Sequence, residues 1–114
     1  KLLLKKTNIP TAIFSISNLI SLGAIRAIAE EGLKIPDDIS MVSFDDQPYS
    51  RFLSTPMTTV AQQITQIGQI ATKILFDQIE EKKSFNPQGI FLPTKMIIRD
   101  SIKRKVNLNI QSIG

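Results

Sequence analysis

Two adjacent carboxylates, Asp45 and Asp46, and one short polar pair, Ser17-Asn18, are the groups in this 114-residue sequence best placed to do chemistry. Each follows an apolar, β-branched run: Thr11-Ala12-Ile13-Phe14-Ser15-Ile16 before the serine, and Ile39-Ser40-Met41-Val42-Ser43-Phe44 before the carboxylates. Neighbouring carboxylates suggest an acid and a base, but successive strand residues point to opposite faces, so this pair cannot readily converge on one substrate. The sequence has no Cys, His or Trp, which removes disulfides, Cys/His zinc sites, cysteine nucleophiles and a Ser/His/Asp triad. Glycine occurs only at 23, 32, 68, 89 and 114, so there is neither a phosphate-cradling P-loop nor a GxGxxG fingerprint. No enzyme and no cofactor are expected. A ligand-binding role suits Asp45, whereas Asp46, two residues before Pro48, reads as the opening of a turn.

For Ser17, Asn18 and Asp45 to share a site, the two apolar runs must be parallel strands, because open parallel sheets bind ligands outside their carboxyl ends. The run 11–16 has the character of a strand buried on both faces. Ser17 and Asn18 are also N-cap candidates for a helix from about Leu19 to Glu31, and Gly32 suits the left-handed position that ends it. On a helical wheel Leu22, Ile25 and Ala29 take one side while Ile20, Gly23 and Ala27 take the other. A sheet covers one side, and a second surface, from this chain or a partner, must cover the other. Pro36-Asp37-Asp38 makes a turn into the strand Ile39 to Phe44. Residues 47–56 form a loop or short helix carrying Tyr49, Phe52 and Leu53, more bulk than a surface loop needs. Thr58-Thr59-Val60 is extended, and a long helix runs from Gln62 to about Lys82 with Ile64, Ile67, Ala71, Ile74, Leu75 and Ile79 at spacings of three and four. Residues 82–89 read as a polar loop, and 90–100 as extended segments interrupted at Pro93.

At 42% hydrophobic and 21% charged, the composition is that of a globular protein with one core or part of one. The net charge of +4 comes from the ends: Lys1, Lys5, Lys6, Lys103, Arg104 and Lys105 leave eight basic against ten acidic groups over 7–102. The body is therefore no polyanion-binding surface, and the run 103–105, without interleaved aromatics, reads as a solvated tail. The apolar window 9–29 is interrupted by Thr11, Ser15, Ser17, Asn18, Ser21 and Arg26, which excludes a membrane span there. With no secretory layout either, a cytoplasmic location is expected. The sequence starts at Lys1 inside an expected helix, Leu2 to Lys6, which suggests a piece of something longer.

The succession of motifs resembles the lactose/galactose repressor family. The residues that carry it are Pro10 to Asn18, Leu22-Gly23-Ala24, Gly32 to Ser40, Val42-Ser43-Phe44-Asp45-Asp46, Pro56-Met57-Thr58-Thr59-Val60, Leu92-Pro93 and Arg99-Asp100-Ser101. The resemblance implies an α/β fold, a periplasmic-binding-protein-like parallel sheet with flanking helices, present in part. Residues 1–61 and 92–114 would form the C-terminal effector-binding subdomain, with 103–114 a disordered tail, and 62–91 a crossover helix and loop belonging to the N-terminal subdomain.

By the same resemblance the ligand-binding positions fall on Asp45, Phe44, Ser17, Asn18, Gln62 and Ile64. Ser17-Asn18 replaces an Asn-Asp pair of the family, and Ile64 replaces an aromatic stacking group of some members. The dimer surface maps onto Ser21, Leu22, Ile25 and Arg26 of the first helix and Tyr49, Phe52 and Leu53 of the loop. The implied protein is a homodimeric, sugar-responsive transcription regulator, a repressor, whose effector is a sugar or sugar phosphate and which meets DNA only through an N-terminal helix-turn-helix absent from this sequence. A solute-binding protein of sugar transport is the rival of the same fold. The apolar stripe of the second helix is expected to be covered, by folding back or by another copy, since bare it would expose more apolar area than soluble monomers usually tolerate.

Overall fold

The computed structural model describes residues 2–5, 7–81 and 89–104. Strand β1 (Ala12–Ser15) leads into helix α1 (Asn18–Glu30), followed by β2 (Ser40–Phe44), β3 (Thr58–Ala61), helix α2 (Ile64–Glu81) and β4 (Lys95–Ile97). Short 3-10 turns occupy Leu2–Lys5 and Pro48–Arg51. The tail beyond Arg104 and most of the loop after Glu81 lie outside the described residues, as does Lys6.

The sheet has the order β1-β2-β3-β4. β1, β2 and β3 are parallel, with Ser15 opposite Ser43 and Ser43 opposite Thr59, so the carboxyl ends of all three strands lie along one edge. β4 runs antiparallel to β3, pairing Lys95 with Ala61, because the chain leaves through β3 and returns beside it after α2. Ser101 ties β2 to β3 at the other end. Its hydroxyl donates to the Met41 carbonyl at 2.6 Å and accepts from the Thr58 amide at 2.7 Å, bridging the two strands where their pairing begins at Val42 and Thr58.

Helix α1 forms because its ends are closed as well as its face. The Ser17 hydroxyl accepts from the Ile20 amide, an N-cap contact at 3.4 Å. At the other end the Leu33 amide donates to the Ile28 carbonyl and the Gly32 amide to the Ala29 carbonyl, with Gly32 at φ 72°. This is the Schellman arrangement, which only glycine adopts without a Cβ penalty, and it folds Leu33 back onto Ile28.

Ile28, Ile39, Met41 and Met57 form the buried core, flanked by Leu4, Ile13, Ala24, Ile25, Leu33, Ile35 and Leu53. The line of α1 that meets the sheet is therefore Ser21, Ala24, Ile25 and Ile28, which coincides with neither side of the apolar wheel. Leu22 and Ile20 remain on the outside. The first strand is not buried on both faces: Phe14 and Ile16 are exposed, because β1 is an edge strand and no described element covers the side of the sheet opposite α1.

The second helix departs further from expectation. It begins at Ile64, two residues later than the apolar spacing suggested, with the Ile67 amide donating to the Gln63 carbonyl. Its stripe is not covered by folding back, since Ile67 is 43% and Leu75 55% exposed, with Ile64 and Ile79 exposed too. Reversal would require the linker to bend onto the sheet, whereas its two glutamines are tied down, Gln62 to the Asp45 carboxylate and Gln63 to the Pro93 carbonyl. No described helix is long and apolar enough to cross a membrane.

Candidate functional site

The polar residues at the carboxyl edge arrive there from three consecutive parallel strands. Ser17 and Asn18 follow β1, Asp45 follows β2, and Gln62 follows β3. Asp45 has φ 72°, making it the non-glycine residue with left-handed backbone among those described. That conformation costs an L-residue roughly 1–2 kcal/mol, although aspartate tolerates it better than most. Its amide donates to the Val60 carbonyl at 2.9 Å, so the turn stays attached to β3 as it leaves the sheet. The Gln62 side-chain amide donates to Asp45 Oδ1 at 2.5 Å. The strand end and the start of the linker to α2 thereby meet.

Ser17 and Asn18 are half-buried at the start of α1, with the Ser17 oxygen engaged in capping. Phe44 is half-buried and, being next to Ser43 in the strand, faces the sheet side away from α1. Ile64 is exposed at the first turn of α2. The edge thus offers a carboxylate, a hydroxyl and two carboxamides, with apolar groups beside them: a set able to accept from and donate to neutral hydroxyls and to pack an apolar ring face.

Asp46 turns the other way, and more than a turn holds it there. Arg99, from the segment after β4, makes a two-pronged contact: Nη1 donates to Oδ1 at 2.7 Å and Nη2 to Oδ2 at 3.1 Å. The same guanidinium donates to the Met57 carbonyl, and the Thr59 hydroxyl donates to Asp46 Oδ1 at 2.8 Å. The Arg99 bond holds the Asp46 carboxyl below the ordinary carboxylate range, outweighing the upward push of burial, with Thr59 and the positive charge of Arg51 adding to it. Both side chains are mostly enclosed, so this pair is a structural clamp. It settles the acid–base question as well: Asp45 is bound to Gln62 and Asp46 to Arg99, and the two do not face a common substrate. The sequence contained the signal for this clamp only in the Arg99-Asp100-Ser101 motif, without the register that brings it to Asp46.

The residues assigned to a dimer surface divide in two. Leu22, Arg26, Tyr49 and Phe52 are exposed, Arg26 paired with Glu30 on the helix and Phe52 lying beneath the Arg51 guanidinium. Ser21, by contrast, is only 5% exposed and bonds inward to Ser15 and Ser43, which corrects its placement on that surface. Ile25 and Leu53 are half-buried, packed against the core on one side and on the other lining a mostly aliphatic groove of about 370 Å³ beside the C-terminal half of α1. That groove touches none of the polar edge residues.

The fold has counterparts among known proteins. The family model for a periplasmic binding protein-like domain matches residues 1–102. The HTH-type transcriptional repressor PurR of Actinobacillus pleuropneumoniae serotype 3 is 40% identical over 108 residues, 94% of this chain and 31% of the repressor. A LacI family transcriptional regulator from Enterococcus faecalis, solved with bound ribose, superposes with a TM-score of 0.75 at 36% identity over 87% of this chain and 36% of that one. The lac repressor dimer bound to operator and the anti-inducer ONPF gives a TM-score of 0.69 at 32% identity, over 81% of this chain and 32% of its own. The chain spans about a third of the length of these relatives, which are regulators of transcription and not enzymes. By fold, order of motifs and family match, the chain belongs to the periplasmic binding protein-like domain family, in its LacI-type branch of transcriptional regulators.

Proposed function

We propose that this chain supplies part of the effector-binding and dimerisation core of a cytoplasmic, DNA-binding transcriptional repressor, and that its effector is a small neutral polyol such as a sugar. The observation that carries this reading is Asp45, a carboxylate kept in left-handed backbone at the carboxyl end of β2 and met by Gln62 from the next strand. Strained non-glycine backbone persists where the surroundings over-determine it, and such places cluster at ligand sites. In this reading Asp45 accepts two adjacent hydroxyls, Ser17, Asn18 and Gln62 hydrogen-bond others, and Phe44 and Ile64 pack the apolar ring face. The ribose bound to the Enterococcus faecalis regulator supports a sugar. The adjacent passes at Ala61 and Lys95 support two lobes, 1–61 with 92–114 in one and 62–91 in the other. DNA is met through a helix-turn-helix elsewhere in the full protein, and two copies associate through the exposed face of α1 and the loop at Tyr49 and Phe52.

Asp45→Ala and Asp45→Gly together test the site. Both remove the carboxylate, and glycine also removes the backbone strain, so the glycine variant keeps its stability while losing the effector. Calorimetric titration of the full-length protein with ribose and a panel of hexoses and disaccharides reads the result. A ligand bound by the native protein loses about 1.5–3 kcal/mol, roughly ten- to 150-fold, in both variants. An undiminished affinity in either one contradicts the role given to Asp45.

A further inference from the structure

Three buried hydroxyls lie directly beneath the two loops that carry Ser17 and Asp45. Ser15 ends β1, Ser21 stands in the first turn of α1, and Ser43 is the penultimate residue of β2, opposite Ser15 in the sheet. The Ser21 oxygen is 2.9 Å from Ser15 Oγ, 2.6 Å from Ser43 Oγ and 2.9 Å from the Ser17 carbonyl. Ser15 donates to the same Ser17 carbonyl at 3.1 Å, and Ser43 is 3.2 Å from the Phe44 carbonyl. The network therefore touches the Ser17 carbonyl in the first loop and the Phe44 carbonyl at the end of β2, next to Asp45. Among the described residues no buried side-chain polar atom lacks a partner.

A hydroxyl has one proton to give, so these contacts cannot all be made together. If Ser43 donates to Ser21, then Ser21 serves Ser15 or the Ser17 carbonyl, and the Phe44 carbonyl loses its hydroxyl donor. If Ser43 donates to Phe44, then Ser21 turns its proton to Ser43, and the Ser17 carbonyl keeps that of Ser15 alone. Either direction fits the 2.6 Å contact. What the loop after β1 receives is thus tied to what the loop after β2 receives. A trio of alanines would fill a helix–sheet contact without this dependence, and buried hydroxyls are costly unless bonded.

We propose that Ser21 is a positioning residue for the effector site, its hydroxyl coupling the loop of Ser17 to the loop of Asp45. The proposal rests on the effector-site reading for its purpose, and its test needs no effector. Two amides report the loops: Ser21 N–H, which donates to the Ser17 carbonyl, and Asp45 N–H, which donates to the Val60 carbonyl. Hydrogen exchange of the full-length protein is followed well below its unfolding temperature, where such amides exchange through local opening.

Ser43→Ala leaves the Ser21 proton to the Ser17 carbonyl or to Ser15 and is expected to slow exchange at the Ser21 amide, and Ser21→Ala leaves the Ser43 proton to the Phe44 carbonyl and is expected to slow exchange at the Asp45 amide, each by up to about tenfold, the worth of one hydrogen bond. The double variant, with neither hydroxyl to give, is expected to lose both gains. Ser101→Ala is the control, because it removes a buried bond at the opposite end of β2 and β3. It should lower Tm and leave both rates within about twofold. Effects confined to the substituted loop and additive in the double variant would overturn the coupling, as would equal slowing of both amides by Ser101→Ala. Should Ser21→Ala not fold, Ser43→Ala alone decides through the Ser21 amide. Coupled exchange in a protein that binds no sugar would leave this proposal standing and count against the effector reading.

Discussion

Asp45 and Asp46 are adjacent in sequence and opposite in employment. Asp45 keeps its carboxylate at the sheet edge, where its side-chain partner is the Gln62 amide. Asp46 is gripped by Arg99 at both oxygens and by Thr59, partners that are themselves fixed in or beside strands. The clamp makes a testable contribution to stability. Its folded pKa lies below the ordinary 3.8, so the contribution is complete above that value, declines as pH falls through it, and is gone below the folded pKa. Arg99→Met should cost about 2–3 kcal/mol at pH 7. The gap between its urea midpoint and that of the native protein should narrow when both are measured near pH 3. A gap that stays constant between the two pH values would mean that Arg99 acts through packing rather than through the Asp46 charge.

Helix α1 has two jobs on two faces. Ile28, with Ile25 and Ala24 beside it, anchors the inner face, while Leu19, Ile20 and Leu22 stay outside. If that outer face joins two copies, Leu22→Asp places an unpaired charge in an apolar contact and costs several kcal/mol of association. Sedimentation should then show a native dimer and a monomeric variant at micromolar concentration, and identical behaviour of the two would remove Leu22 from the interface. The helix itself was legible in the sequence because a cap, a 3.6-residue period and a terminal glycine are local signals. Which line of it faces the sheet was not. An apolar wheel passes over Ser21, whose burial is understood only once Ser15 and Ser43 are known to be its neighbours. Arg99 escaped for a similar reason, since its bond to Asp46 spans 53 positions and depends on how β4 lies against β3. The apolar run of β1 does show what kind of strand it is, but Phe14 and Ile16 on its second face stay exposed.

Taken as a whole, the molecule is a half-covered sheet with a helix held out from its edge. The core closes around α1 and one sheet face, whereas Phe14, Ile16, Met96 and Ile98 on the other side and Ile64, Ile67, Leu75 and Ile79 on α2 remain exposed. Surfaces of this kind call for cover, and relatives about three times as long have further chain with which to provide it. The edge between these two exposed regions is where Ser17, Asn18, Asp45 and Gln62 gather, as expected if a ligand sits between two lobes joined at Ala61 and Lys95. The most direct test of that claim is amide chemical-shift mapping of the full-length protein during titration with ribose and the other sugars. The account predicts that a sugar bound by the protein shifts the amides of Ser17, Asn18, Asp45 and Gln62 together, and leaves those of Ile25, Leu53 and Met57 in the aliphatic groove unmoved. Shifts gathered at the groove, with the four edge amides silent, would contradict it.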